Sequence, residues 1–246
     1  MVSDQGEIDE RIQLYYRDLF DEQARLTTRS AQGPLEFERT QRLIREHVPA
    51  GGRILDVGGG SGVHARALLD AGYDVALIDP VPRHVDRARD AGISAHVGDA
   101  RMLDVADGAF DAAILLGPLY HLATVTDRMR ALSEARRAVR TGGVVCAAGL
   151  SRYVAFGRVM LGGGIPPELP GEWAALVTAG DPPSGMRFPA GHFHTAEELE
   201  SELTTAGRND VEVVGVEGPA GLFLESAEVD AEVRAAAATL AAAASS

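Results

Sequence analysis

The spacing of apolar side chains changes character along the chain. From residue 7 to about 29, Ile8, Ile12, Tyr15, Tyr16, Leu19, Gln23 and Leu26 fall on one stripe, the spacing of an amphipathic helix, and Gly33 with Pro34 closes it. A second helix is predicted from Leu35 to Val48, with Phe37, Thr40, Leu43, Ile44 and Val48 turned inward, and Pro49, Gly51 and Gly52 stop it. From Arg53 the pattern becomes a series of short apolar runs: ILDV, VALID, ISAHV, AAILL and VVCAAG. Runs of that length fit strands buried on both faces. Residues 63–71, 83–91 and 127–140 lie between them at helical spacing and have the length of crossover helices. The alternation predicts an α/β chain with a Rossmann-like doubly wound sheet, mostly parallel.

Residues 151–194 break this rhythm. They are rich in Gly and Pro and hold the single Trp, Trp173, which reads as an insertion or lid. Thr195 and Glu198 then have the spacing of a capping box opening a helix to about Ala206. A strand, VEVVGV, is expected next; GLFLES is a poor candidate for a final strand, and a helical tail closes the chain. The expected organisation is one domain over 1–246, with a helical cap (1–50), a core (51–150), a lid (151–194) and a C-terminal helix, strand and tail (195–246).

Charge narrows the choice of partners. With 36 acidic against 23 basic residues the formal net charge is −13, which repels a phosphate backbone, so nucleic acid is not expected as a partner. No apolar stretch has membrane-spanning length and the N-terminus is acidic and polar, so no membrane association and a cytoplasmic location are expected. The one cysteine, Cys146, lies in the apolar run VVCAAG and reads as core filling. Nothing in the sequence sets an oligomeric state.

The chemistry concentrates at the ends of the predicted strands. Gly58, Gly60 and Gly62 follow the first strand, directly after Asp56, and precede the first crossover helix. Glycines there let the backbone take positive φ or approach a ligand, and the helix start offers free N–H donors. A plain glycine turn fits the glycines equally well. A dinucleotide loop is a weaker fit: Gly60, Gly62 and Ala65 satisfy G-x-G-x-x-A, but the frame begins two residues late. Asp79 ends the second strand and Asp99 follows the third, so three acids share the edge where open α/β sheets bind ligands.

Read together, Asp56-x-Gly58-x-Gly60-x-Gly62, Asp79 in ALIDP and Asp99 in HVGDAR resemble the motifs of class I S-adenosylmethionine-dependent methyltransferases. The resemblance implies S-adenosylmethionine as cofactor, with Asp79 on the ribose hydroxyls, and Asp99 and the Ala100 backbone N–H at the adenine. More loosely, GPLYHL, the early YY with RLTTR and the late FHTAEEL with GVEGP resemble a subgroup of bacterial small-molecule methyltransferases. That likeness implies that the first helix closes over the cofactor, with Tyr16 or Arg29 near its methionine end.

Methyl transfer needs alignment and exclusion of water more than bond-breaking groups of the protein, since the cofactor supplies the electrophile. Tyr120 and His121 follow the fourth strand, and His121 is the natural general base. Tyr16 and Tyr120 are further candidates for the catalytic step. Tyr15, Trp173, His192 and His194 are candidates to line a substrate site, with Met160, Met186 and Phe188 as an apolar wall. His192 and His194 alternate in GHFHT, but no third ligand at useful spacing completes a metal site. The expected function is methylation of a small, aromatic or heteroaromatic molecule of specialised metabolism, with O, N or C as acceptor left open. The alternatives are a cofactor-binding regulatory module without turnover and a nicotinamide-dependent oxidoreductase.

Overall fold

The computed structural model describes residues 4–18, 21–154, 170–183, 186, 188–207, 209–226 and 229–244. Met160 and Leu19 lie outside them. Five parallel strands form one sheet in the order β3-β2-β1-β4-β5: β1 Arg53–Val57, β2 Asp74–Asp79, β3 Ser94–Val97, β4 Phe110–Leu115 and β5 Val139–Ala147. The chain reverses its direction of winding between β1 and β4. In open α/β sheets ligands bind at this switch point, beyond the carboxyl ends of the strands.

Period-two alternation decides which residues face which layer. Ile54 and Leu77 pack with α3 (Gln32–His47), α4 (Val63–Asp70) and α5 (Pro82–Asp90) through Ile44, Leu68, Val85 and Ala88. Leu55, Val57, Ala113 and Leu115 face the other side, against Ala131, Ala135 and Ala138 of α7 (Val125–Ala138). On the same side α9 (Ala196–Thr205) adds Leu203, packed with Leu119 and Leu132. Its N-terminus is the expected capping box, in which the Thr195 hydroxyl accepts the Glu198 N–H and the Glu198 carboxylate accepts the Thr195 N–H. Cys146, in β5, is partly buried against the first of these clusters.

The flanks differ from the sequence pattern in three places. The N-terminal stripe is two helices, α1 (Gln5–Asp18) and α2 (Glu22–Thr27), because Asp21 caps a new helix by accepting the Ala24 N–H. Gly33 and Pro34 begin α3 rather than ending what precedes it. Proline is tolerated in a first turn because the N–H it lacks has no intrahelical partner there. Gly33 faces the Arg25 carbonyl at a distance that admits no Cβ. At the C-terminal end VEVVGV joins no sheet, and GLFLES is a short helix, α10 (Gly221–Ser226). Arg39 of α3 donates to the carbonyls of Gly215 and Val216, so this stretch spends backbone acceptors on a side chain instead of a ladder. The tail, α11 (Ala231–Ala243), packs on α3 through Ala237, beside Leu35 and Leu224.

Candidate functional site

Parallel register brings the ends of β1, β2 and β4 to one edge, where a cavity of about 310 Å³ opens. Its floor is the turn after β1. Gly58, Gly60 and Gly62 all have positive φ, at +70°, +56° and +86°. Two of them are needed for close approach as well: a Cβ on Gly58 would strike Pro118, and one on Gly60 would strike the Glu22 carboxylate. Gly62 points away from the cavity towards Ile93 and Ala88, so it serves the packing of α4.

Asp79 is buried and holds this turn in place. Its Oδ2 accepts the Gly60 N–H at 2.9 Å, and its Oδ1 accepts the Val81 N–H at 2.9 Å with His84 Nδ1 3.2 Å away. Asp56 sits under the loop, 1% exposed, and its Oδ2 has no hydrogen-bond partner. Burial, with Glu22 and Asp79 nearby, pushes the Asp56 carboxyl well above the usual carboxylate range. Asp99 stands at the far end of the cavity, held by Arg101, which also reaches Asp9 on α1. Ala100 lines the same end.

The opposite wall is aromatic. Pro118 opens the short helix α6 (Pro118–His121) against Gly58, and this places Tyr120 and His121 over the cavity. His121 Nδ1 donates to the Pro189 carbonyl at 2.8 Å, which leaves Nε2 to accept from the Tyr16 hydroxyl at 3.0 Å. Burial pulls His121 down to about 4, so the ring is neutral near pH 7, and burial likewise raises the Tyr120 hydroxyl. Phe188 lies tilted against His121 at 5.2 Å, and Tyr15 meets Phe188 and Tyr16 edge-on at 5.8 and 5.1 Å. Tyr15 therefore backs the wall without lining the cavity.

Other residues picked out by sequence lie elsewhere. Arg29 is exposed and outside the cavity. Trp173, on α8 (Pro170–Ala179), joins Leu176, Ala190 and Phe193 in a separate cluster, where Met186 and Phe188 also pack. His192 and His194 are buried together at 4.6 Å between ring centroids, beside Glu198, Glu202 and Arg128 rather than in the cavity.

Three residues that the sequence pattern did not single out do line it: Glu22, Arg25 and Glu36. Arg25 forms a two-pronged pair with Glu36 at 2.5 and 3.0 Å, and burial raises Glu22 to about 7. The available signal was Asp21, whose capping spacing starts a helix that turns Glu22 inward. His64, in the first turn of α4, also lines the cavity; its Nδ1 accepts from Gln41 at 3.1 Å.

Residues 55–147, which span the sheet from β1 to the end of β5 and include the glycine turn, Asp79, Asp99 and α6, match the family described as a methyltransferase domain. Residues 55–147 thus form a methyltransferase domain, and the fold around them is shared with S-adenosylmethionine-dependent methyltransferases. The nicotinamide-dependent reading of the glycine turn falls with that match.

The methyltransferase domain has relatives with different named substrates. The glycine/sarcosine N-methyltransferase of Parasynechococcus marenigrum is 35% identical over 149 residues, 56% of this chain and 51% of that protein. A tRNA (carboxymethyluridine(34)-5-O)-methyltransferase of Xenopus tropicalis is 36% identical over 98 residues, 39% of this chain and 15% of that protein. The chain thus spans about half of the first relative and a smaller part of the second. A solved S-adenosylmethionine-dependent methyltransferase of Thermotoga maritima, described as a possible histamine N-methyltransferase, shares the fold at a TM-score of 0.55. The two are 22% identical, and the match covers 83% of this chain and 81% of that one.

The cavity fits the family's cofactor in two respects. A floor of glycines admits a ligand against the backbone, and the unpartnered Asp56 Oδ2 leaves a buried carboxyl oxygen that a ligand's donor or positive charge would satisfy.

Proposed function

We propose that this chain methylates a small aromatic or heteroaromatic molecule held between the glycine turn and the wall formed by Tyr16, Tyr120 and His121, which Phe188 backs. The observation that carries the reading is this juxtaposition: a polar, acidic floor for the cofactor lies across one cavity from a neutral histidine framed by aromatic rings. The cofactor, when bound, supplies an activated methyl group. Asp79, Asp99 and the Ala100 backbone are the groups proposed to hold its ribose and adenine.

The chain's own part is to align and to exclude water. Tyr120 offers an aromatic ring to a flat substrate, and Phe188 packs against it and His121. The neutral Nε2 of His121 holds the Tyr16 hydroxyl, so the pair can accept a proton from an acceptor hydroxyl or ring nitrogen and pass it along the hydrogen bond. A histidine held near 4 is unprotonated throughout the physiological range but draws a proton weakly. We therefore assign His121 chiefly to positioning Tyr16 and to a relay during transfer.

A net charge of −13 supports a small molecule over nucleic acid, as do the acids that line the cavity. The test is transfer of a labelled methyl from S-adenosylmethionine to a panel of phenols, indoles, aromatic amines and aliphatic amines, with tRNA alongside. Labelling of an aromatic member supports the proposal. Labelling confined to tRNA or aliphatic amines overturns it, and binding of S-adenosylmethionine without transfer to anything would favour a regulatory module.

A further inference from the structure

Carboxyl groups outnumber guanidinium groups around the cavity. Asp56 and Asp79 from the sheet, Glu22 from α2, Glu36 from α3, Asp9 from α1 and Asp99 after β3 converge on it, while of the two guanidinium groups in the lining Arg25 pairs with Glu36 and Arg101 with Asp99 and Asp9. His84 and His64 lie in the same wall, and Tyr16 and Tyr120 close it from α1 and α6. Glu22 is the acid at the surface of the glycine turn, since its carboxylate occupies the space that a side chain on Gly60 would take. Asp56, directly beneath, presents a buried oxygen with no partner.

We propose that Glu22 is a cofactor-binding residue that receives positive charge of S-adenosylmethionine as a carboxylate, so that capture of the cofactor expels a proton from Glu22. This rests on the cofactor reading above and adds to it a residue from outside the glycine and strand-end motifs. The physical reason is desolvation. Burial, helped by Asp79 and Glu36 and opposed by Arg25 and His84, raises Glu22 to about 7, so the group is partly protonated near neutral pH. A cation brought to within contact reverses that balance and returns the group to its ionised form. His64 and His121, both held near 4, do not titrate in the neutral range.

The experiment is calorimetric titration of the intact protein with S-adenosylmethionine, and separately with S-adenosylhomocysteine, at about pH 7 in two buffers of different ionisation enthalpy. The expected result is release of about half a proton per cofactor near pH 7, because the group is then half protonated when free. Affinity should fall about tenfold per pH unit below 7 and level off above it. In Glu22→Gln the proton release should vanish, and binding at about pH 8.5 should weaken roughly 10- to 100-fold, as expected for loss of a charge-assisted contact. The variant also separates Glu22 from His84, which shares the Asp79 carboxylate.

Release with both ligands places the α-ammonium at Glu22; release with S-adenosylmethionine alone places the sulfonium there. Tight binding by wild type with no proton release, or release undiminished in Glu22→Gln, overturns the inference and leaves the cofactor reading intact. Absence of binding to either ligand overturns the cofactor reading itself.

Discussion

At Gly60 the left-handed backbone and the missing side chain act together, since a β-branched residue would resist φ of +56° and would also meet the Glu22 carboxylate. Gly60→Val is expected to lower cofactor affinity at least about 100-fold while the far-ultraviolet circular dichroism stays that of the wild type. Normal affinity would make the turn purely structural. Glu22 illustrates the opposite trade. Its folded-state value of about 7 lies above the unfolded 4.5, so the folded protein binds the extra proton, and ionising the buried group costs stability as pH rises between those values. Glu22→Gln should therefore raise the melting temperature of the ligand-free protein above about pH 7, by an amount worth about 1–3 kcal/mol, with the difference gone below about pH 4. An equal or lower melting temperature at about pH 8 would show that the fold does not raise Glu22 above its ordinary value.

For His121 the low value of about 4 sets the expectation for turnover. His121→Asn keeps a polar group near Tyr16, and turnover should fall about tenfold, with the loss constant between about pH 6 and 9 because no histidine proton titrates there. A loss of about 1000-fold, or one that shrinks as pH falls towards 6, would restore His121 as a strong general base.

At the level of elements, α7 and α9 are locked by a buried ion pair. The Arg128 guanidinium donates to Glu202 at 2.7 to 3.1 Å and also to the carbonyls of Leu122 and Ala123, just after α6. Glu202 is pulled down to about 2, with Arg128 and His194 as its favourable partners outweighing burial. Breaking such a pair leaves an uncompensated charge inside the protein. Glu202→Ala should cost about 3–5 kcal/mol in denaturant unfolding. In the wild type the contribution is present above about pH 4.5 and is lost as pH falls towards 2. A cost under about 1 kcal/mol would mean that the pair is solvated. His192 and His194 belong to this lock, which is why an alternating GHFHT segment that sequence spacing placed at a substrate site lies behind the wall instead. The segment still matters to the cavity, because the N–H groups of Gly191 and His192 donate to the Tyr120 carbonyl and Pro189 accepts from His121.

For the whole molecule, the cavity joins the N-terminal flank to the sheet: α1, α2 and α3 contribute one side and the strand ends the other. Ligand that binds only the assembled state should stabilise the entire fold by mass action, about 2.7 kcal/mol at 100 times Kd. For a chain of this size that corresponds to a melting-temperature rise of roughly 5–10 °C with S-adenosylhomocysteine. The same concentration of NADH should leave the transition unmoved. A shift with NADH and none with S-adenosylhomocysteine would reverse the assignment of the cofactor.

The core was legible in the sequence because its signals are local. Strands buried on both faces must be short continuous apolar runs, a glycine turn must follow the strand it ends, and acids at strand ends need only their own strand to place them. Thus β1 to β5, the turn at Gly58–Gly60 and the positions of Asp56, Asp79 and Asp99 follow from the chain itself. The rest depends on partners far away in sequence. Glu22 enters the cavity only because α2 folds back over Gly60, and Arg29 two residues past α2 points to solvent. VEVVGV has the alternation of a strand yet gives carbonyls to Arg39, and no local pattern says which acceptor a distant arginine will claim. His121 and His192 are alike as letters. Which one lines the cavity and which is sealed beside an ion pair was decided by tertiary packing, because burial and proximity of charge belong to the assembled fold and not to any single segment.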